Sequence, residues 1–289
     1  MLLPGATFLI TKKSFGASFS ALLDQTDEEI CLGKFALVQN QHLEEKPIAE
    51  LIVAIGSSFI GTEYGEHLLE AEGPEHLVVN LRQLDCVTFY ECSLALARCV
   101  KLKKTTFDEF KRQLQLIRYR GGIIDGYPSR LHYTSDAWLD DEKRGILRVV
   151  TKELFGAKYL RRLPSPINFM SSHRSVYRQL ADEKFFTALR RKEDEMSKRE
   201  IYFLPKEHLA ALSYRITPGS LIGITTSIPG LDISHTGIAY RAEDGTLHLL
   251  HAPDVGEKVQ ISKLSLEDYL GRNRKQTGII VAEALEPHS

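Results

Sequence analysis

The sequence predicts an α+β fold, with helices in the first part of the chain and an antiparallel sheet at its end. Between Asp85 and Lys101 apolar residues recur at helical spacing without glycine or proline. After Pro218-Gly219 the pattern changes to short runs that are typical of strands. Because the strands follow the helices and do not alternate with them, we expect a helical layer packed on an antiparallel sheet.

The composition is that of a globular protein. The 289 residues include 43% hydrophobic residues, and 37 basic side chains nearly balance 38 acidic ones. No basic cluster is interleaved with aromatic residues, so we do not expect a nucleic-acid partner. The longest apolar stretches fall far short of the roughly 20 residues that span a bilayer, so we expect no membrane span.

The N-terminal sequence MLLPGATFLITKK does not have the order of a signal peptide, because its lysines follow the apolar part. We expect the protein in the periplasm or cell envelope if a signal peptide has been removed, and in the cytoplasm otherwise.

The four cysteines, Cys31, Cys86, Cys92 and Cys99, are too few for a disulfide framework in a chain of this length. Cys92 and Cys99 share a helix face and are expected to be buried thiols.

Two helix starts are well marked. Asp85 is a good N-cap and places Cys86 in the first turn of the helix that ends at Lys101. Thr106 is expected to cap a second helix that ends at Arg118. Further along, the charged segment ADEKFFTALRRKEDEMSKRE predicts a helix with a solvated face.

The region between the helices and the sheet is predicted to be irregular. Residues 121–172 are rich in Gly, Pro, Tyr, Asp and Ser, and we expect one short helix near residues 140–150. Five strands follow, and we expect them to form a meander: SLIGITT, SHTGIAY, TLHLLHA, EKVQIS and TGIIVAEAL.

We interpret the chain as one catalytic domain, residues 1–289. It would consist of an N-terminal extension (1–50), a nucleophile region and helix (51–105), a helical and loop insertion (106–215) and an antiparallel sheet (216–289). Each boundary follows a change of composition or pattern.

Cys86 has the position of a nucleophile. A thiol reacts as the thiolate, and a helix N-terminus beside a histidine lowers its pKa. The positive end of the helix dipole and the free N–H groups of the first turn would also favour an oxyanion. His235, flanked by Ser234 and Gly237 on a predicted core strand, is the candidate base.

His251 on the next strand is the candidate group that orients His235. The two side chains share a face only if the pairing has the right parity. A three-residue loop, Glu243-Asp244-Gly245 with Gly245 left-handed, places them diagonally on one face, whereas a two-residue loop places them on opposite faces. His248 points the other way and is expected to be structural.

Taken singly, each of these residues has an ordinary structural interpretation. A cysteine at the start of an apolar helix is more often a buried thiol, and a strand histidine is more often a core or surface group. It is the combination of Cys86, His235 and His251 that indicates nucleophilic catalysis.

The combination resembles the NlpC-like cell-wall cysteine peptidases. The segments GTEY, LDCVTF, SHTGIAY and LLHAP look like the family's Gly-Thr-Pro-Tyr stretch, Asp-Cys helix start, His-Val-Gly-Ile strand and Ile-His-Ala strand, in the same order. The fuller pattern NLRQLDCVTF, GYPSRLHYTSDAW, INFMSSH, GLDISHTGIAY and LHLLHAP is similar to the N-acetylmuramoyl-L-alanine amidase-like branch. Glu63 stands where many relatives have proline.

The resemblance implies a papain-like core and a hydrolase of peptidoglycan or its fragments, without a cofactor. It implies Cys86 as nucleophile, His235 as base and His251 as orienting residue. We also assign a substrate-binding role to five residues, Tyr64, Asp85, Tyr127, Arg130 and Ser234. Walls of the cleft are further expected from His132, Tyr133 and the loop 168–173.

The bond that is cut has two candidates. The branch implies cleavage between the lactyl group of N-acetylmuramic acid and L-alanine, whereas the broader family more often cuts the γ-D-glutamyl bond of the stem peptide. Two other classes stay open, a zinc hydrolase that uses Cys and His ligands and a non-catalytic cell-wall binding module. We expect no metal, because neither a fourth ligand nor a C-x-x-C pair is visible.

Overall fold

The computed structural model describes residues 25–288, so the N-terminal sequence discussed above as a signal peptide lies outside the described residues. The helices in this range are α1 (Asp27–Asn40), α2 (Ile48–Ser57), α3 (Cys86–Lys101), α4 (Phe107–Arg118), α5 (Thr134–Lys143), α6 (Thr151–Phe155), α7 (Phe169–Ser172), α8 (Glu183–Ser197), α9 (Leu209–Leu212) and α10 (Leu266–Arg272).

The strands in the same range are β1 (Glu63–Tyr64), β2 (Gln83–Leu84), β3 (Leu147–Val149), β4 (Arg161–Arg162), β5 (Tyr202–Pro205), β6 (Leu221–Thr226), β7 (Ile233–Arg241), β8 (Leu247–His251), β9 (Gln260–Ile261) and β10 (Gln276–Ala284). Helices and an antiparallel sheet together confirm the predicted α+β class. Of the helices in residues 25–288, none combines the length and hydropathy that crossing a bilayer requires.

The main sheet has the strand order β4-β5-β10-β6-β7-β8-β9, and β3 also pairs with β10. All of its pairs are antiparallel. The predicted meander is therefore correct for β6 to β9 only. Helix α10 follows β9 and the chain returns to place β10 beside β6, where the strand is buried along most of its length.

The sheet is covered on both faces. Helices α1 to α3 pack on one face, where Ile238 of β7 belongs to the same apolar core as Phe35, Ile52 and Leu94. A second core on the other face joins the sheet to α9 and α10. Helix α1 thus contributes to the main core, although the sequence interpretation placed it in an N-terminal extension.

The insertion is more regular than its composition suggests. The expected short helix near residues 140–150 is wrong in its bounds, because α5 ends at Lys143 and residues 147–149 form β3 against β10. The start of α5 depends on a distant residue, since the carboxylate of Asp232 accepts a hydrogen bond from the N–H of Ser135 at 2.9 Å. A cap supplied from 97 residues away leaves no local sequence signal.

Candidate active site

Cys86 occupies the first position of α3, as the sequence predicts. Asp85 caps the helix, because its Oδ1 accepts from the N–H of Val87 at 2.9 Å and of Thr88 at 2.7 Å. The Thr88 hydroxyl accepts in return from the Asp85 N–H at 2.9 Å. Cys86 is a free, partly exposed thiol, whereas Cys31, Cys92 and Cys99 are free and buried. The cap fixes the thiol-bearing residue at the edge of the helical layer.

The two histidines of the sheet are in direct contact. His235 Nε2 and His251 Nδ1 are 2.7 Å apart, a hydrogen-bond distance, and the rings are nearly perpendicular. The N–H of Ala242 donates to the carbonyl of Thr246 just beyond the ends of β7 and β8, which leaves a three-residue loop, 243–245, with Gly245 at φ +84°. It aligns Ile238 with Leu250, so His235 and His251 lie diagonally on one face. The parity requirement stated from the sequence is thereby met.

A β-bulge precedes His235. Ile224 pairs with His235 and Thr225 pairs with Ile233, which leaves Ser234 as the extra residue of β7. Bulges bend a strand and redirect its side chains, and they are common beside functional sites. Ser234 is exposed at this point, and its predicted substrate role stays a prediction.

Two residues that the sequence interpretation missed contact the candidate catalytic residues. The hydroxyl of Thr236 donates to the main-chain carbonyl of Cys86 at 2.7 Å. The ring of Tyr269, on α10, packs edge-on against His251 with centroids 5.3 Å apart and lies 6.3 Å from the His235 ring. Thr236 could have been found from its place beside His235, whereas nothing local marks Tyr269.

Burial keeps all three candidate catalytic groups neutral near neutral pH. It raises the pKa of Cys86 to about 12, and the nearby Asp85 carboxylate raises it further. Burial lowers the pKa of His235 to about 4, against an opposing effect of Asp254. The pKa of His251 is lowered to about 3 by burial and then by His235. The sequence predicted a lowered thiol pKa, and this prediction is wrong in direction, because the effect of desolvation on the pKa is larger than the opposing effect of the helix N-terminus.

Tyr64 lies beside the nucleophile. Strand β1 pairs in parallel with β2, so Tyr64 is aligned with Leu84, two residues before Cys86. Burial raises the pKa of the Tyr64 hydroxyl first, and the charges of Cys86 and Asp85 raise it further. The hydroxyl is thus within electrostatic reach of the thiol. Glu63, which departs from the family pattern, pairs with Lys258 at 2.6 Å.

The structure ties three of the proposed substrate-binding residues to partners of their own. Arg130 is 5% exposed and is paired with Glu70 at 2.7 Å and Glu75 at 3.2 Å. The buried hydroxyl of Tyr127 donates toward Glu70 at 3.4 Å. These side chains hold the loop before α3 in place, and a guanidinium used in this way is not free for substrate. The Asp85 carboxylate is likewise used by the helix cap.

The remaining predicted cleft residues also have internal partners. The ring nitrogen Nε2 of His132 lies 2.9 Å from the carbonyl of Tyr127. The hydroxyl of Tyr133 donates to Glu193 and accepts from the N–H of Met170, in the predicted loop 168–173. In the part of the chain that the structure describes, no three or more His, Cys, Asp or Glu side chains are grouped as a metal site requires.

Comparison with known proteins identifies the family. Residues 54–279 match the AmiA-like family, described as N-acetylmuramoyl-L-alanine amidase-like. A crystal structure of an N-acetylmuramoyl-L-alanine amidase from Bacteroides uniformis ATCC 8492 is 39% identical over 82% of this chain and 98% of that chain, with a TM-score of 0.76. A search of curated proteins gave no match.

Two further structures share the fold. A Bacteroides fragilis protein described as a candidate xylanase is 37% identical over 79% of this chain and 98% of that chain, with a TM-score of 0.73. A Legionella pneumophila protein is 21% identical over 93% of this chain and 96% of that chain, with a TM-score of 0.66, and supports the fold alone. The family match covers most of the chain, and the chain therefore belongs to the AmiA-like, N-acetylmuramoyl-L-alanine amidase-like family.

Proposed function

We propose that the protein is a cysteine amidase that hydrolyses the bond between the lactyl group of N-acetylmuramic acid and L-alanine in peptidoglycan or its fragments. Cys86 is the nucleophile, His235 the base and His251 the residue that orients the base. The core is of the papain-like, NlpC-like type, with the nucleophile at a helix start packed on an antiparallel sheet. The hydrogen bond of 2.7 Å between His235 and His251 is the observation that carries the proposal.

The reaction needs one of the two tautomers that this hydrogen bond allows. Two neutral imidazoles share one proton between them, and the productive arrangement has His235 Nε2–H donating to His251 Nδ1. The lone pair of His235 is then on Nδ1, the nitrogen left to accept a proton from the thiol. The opposite tautomer would protonate Nδ1 and disable the base.

The reaction follows from neutral resting groups. As Cys86 Sγ attacks the amide carbonyl carbon, its proton passes to Nδ1 of His235. The new imidazolium keeps its Nε2–H on His251, and this bond strengthens because the donor is now charged. His235 then gives the proton to the leaving L-alanine nitrogen as the C–N bond breaks. Water, deprotonated by His235, hydrolyses the thioester and restores the thiol.

The oxyanion is held by fewer main-chain donors than the sequence suggested. The N–H groups of Val87 and Thr88 already donate to Asp85, so they are occupied by the helix cap. We assign the oxyanion to the N–H of Cys86 and the hydroxyl of Tyr64, whose pKa responds to the charge on the thiol.

The geometry does not favour the other chemical classes. Two imidazole nitrogens that bind one tetrahedral zinc at ~2.0–2.1 Å lie roughly 3.3 Å apart, farther than the 2.7 Å between His235 and His251. Hydrolysis of a glycan such as xylan uses a pair of carboxylates. Here the reacting groups are a thiol and imidazoles, and the nearest carboxylate in sequence, Asp85, caps a helix.

The test is incubation with defined muropeptides followed by mass spectrometry of the products. Release of an intact stem peptide beginning with L-alanine supports the proposal. A muramoyl product that retains L-alanyl-D-glutamate, with release of the rest of the stem peptide, would instead identify the γ-D-glutamyl bond as the target. Turnover that survives Cys86→Ala, or that is lost on chelation, would contradict the cysteine mechanism. No turnover of any muropeptide would favour a non-catalytic cell-wall binding module.

A further inference from the structure

Thr236 joins the strand of the base to the residue of the nucleophile. It follows His235 on β7, and because side chains alternate along a strand it faces the helical layer, as Ile238 does two residues later. It is 1% exposed, and its hydroxyl donates to the carbonyl of Cys86 at 2.7 Å. This is a direct hydrogen bond between the elements that carry Cys86 and His235.

Thr236 also affects the thiol group of Cys86. Hydrogen bonds from the N–H and the hydroxyl of Thr236 lower the pKa of Cys86, against the larger raising effects of burial and Asp85. The hydroxyl has a single proton, which donates to the Cys86 carbonyl beside the resting thiol and can rotate toward the sulfur as negative charge develops there. Both donors come from the residue next to His235, so any movement of β7 relative to α3 changes the distance from base to nucleophile.

We propose that Thr236 is a positioning residue that holds Cys86 in register with His235 and stabilises the thiolate as it forms. The inference rests on the proposed function and deepens it. The resemblance supplies a useful contrast, because valine occupies this place in the His-Val-Gly-Ile pattern of the broader family. Valine has nearly the same shape as threonine but no hydroxyl, so its main-chain N–H would remain while the side-chain donor is lost.

The substitution Thr236→Val removes the hydroxyl without leaving the Cys86 carbonyl unpaired, since that carbonyl can also accept the helical N–H of Tyr90, four residues later in α3. Thr236→Ser keeps the hydroxyl. Thr225→Val is the matched control, because Thr225 is a buried threonine on the neighbouring strand whose hydroxyl bonds Thr277, away from Cys86.

The first measurement is the rate of alkylation of Cys86 by iodoacetamide in the full-length protein at pH 9, with Cys86→Ala as background. Below the thiol pKa the rate follows the thiolate fraction, and the loss of one hydrogen bond to a charged group corresponds to about one pKa unit. We expect Thr236→Val to react about tenfold more slowly, and Thr236→Ser and Thr225→Val to react within about twofold of the parent. The second measurement is muropeptide hydrolysis, where Thr236→Val should lower kcat with little change in KM.

The alkylation measurement decides the proposal without any substrate. Equal rates for Thr236→Val and the parent would overturn it, as would an equal loss in Thr225→Val, which would indicate a general effect of removing a buried hydroxyl. Thermal unfolding of each variant shows whether it folds, and recovery by Thr236→Ser identifies the hydroxyl as the cause. If Cys86→Ala kept its hydrolytic activity, the proposed mechanism would fail, and the alkylation rates would still decide the role of Thr236.

Discussion

Replacing His251 tests the site most sharply, because the structure identifies the atom that matters. In the proposed tautomer the His235 Nε2–H donates to Nδ1 of His251, and Nδ1 is bonded directly to Cγ. The side-chain oxygen of asparagine is also bonded to Cγ, so His251→Asn can place an acceptor close to the same position. Leucine has a similar volume and no acceptor, and glutamine carries its oxygen one carbon farther away.

The expected loss follows from burial. His251 is 1% exposed, so water cannot readily replace the missing acceptor in His251→Leu. A buried N–H without a partner costs ~1–3 kcal/mol, which disfavours the productive tautomer of His235 by about 5- to 150-fold. Loss of orientation adds to this, and triads in general lose on the order of 10²–10⁴ in turnover when the orienting group is removed. We expect His251→Leu to lose at least ~10²-fold in kcat and His251→Asn about tenfold or less.

The assay is steady-state hydrolysis of a muropeptide, with circular dichroism to show that each variant is folded. His251→Gln should fall between the other two variants, because its acceptor is misplaced by one bond. His235→Asn should be nearly inactive, since an amide cannot take the thiol proton. A His251→Leu variant with a kcat within threefold of the parent would refute the reasoning and remove His251 from the site.

Three further predictions concern the thiols and the acid stability of the fold. Cys86→Ala should abolish hydrolysis and retain muropeptide binding in calorimetry, whereas Cys92→Ala should stay active and unfold at a lower temperature. The reverse result would show that the nucleophile has been assigned to the wrong cysteine. Peptide mapping after limited iodoacetamide treatment should find Cys86 labelled first, because it is the partly exposed one of the four cysteines, and prior labelling of Cys31 would count against the assignment. The pKa values of His235 and His251 in the folded protein lie below 6.5, so the stability that depends on their neutral forms is complete above pH 6.5. As the pH falls from 6.5 toward 4, the free energy of unfolding should decrease by about 2–3 kcal/mol per pH unit for the pair. Urea unfolding between pH 7 and pH 4.5 measures it, and a flat profile would contradict the burial of neutral imidazoles.

The parts of the fold that depend on local pattern were predictable. Asp85 and Thr106 cap the helices at the expected positions, and the charged segment forms α8 within its expected limits. The approach of His235 to His251 was also predictable, because strand periodicity and a loop of three residues determine which side chains share a face. Each of these features depends on residues that are close in the sequence.

What the sequence did not show depends on contacts between distant segments. Three features produce no periodic pattern in the sequence. They are the pairing of β10 with β6, the hydrogen bond from the start of α5 to Asp232, and the packing of Tyr269 against both histidines. The same holds for Arg130, which looks like a substrate ligand in an open loop but is buried against Glu70 and Glu75. Charged residues in a loop are ambiguous until their partners are known.

The pKa of Cys86 shows how burial changes a mechanism inferred from pattern alone. A helix start and a nearby histidine suggest a thiolate at rest, but desolvation of a small site penalises every charged form. In the proposed mechanism Cys86, His235 and His251 are all neutral at rest, and charge appears only when the proton moves from sulfur to His235 during attack. The groups that matter most in the proposed mechanism are then those that meet charge as it forms: His251 behind the imidazolium, and Thr236, whose hydroxyl donates to the main chain of Cys86. A neutral resting site of this kind makes the reactivity of the thiol toward the amide depend on the bound substrate, which brings the proton transfer about.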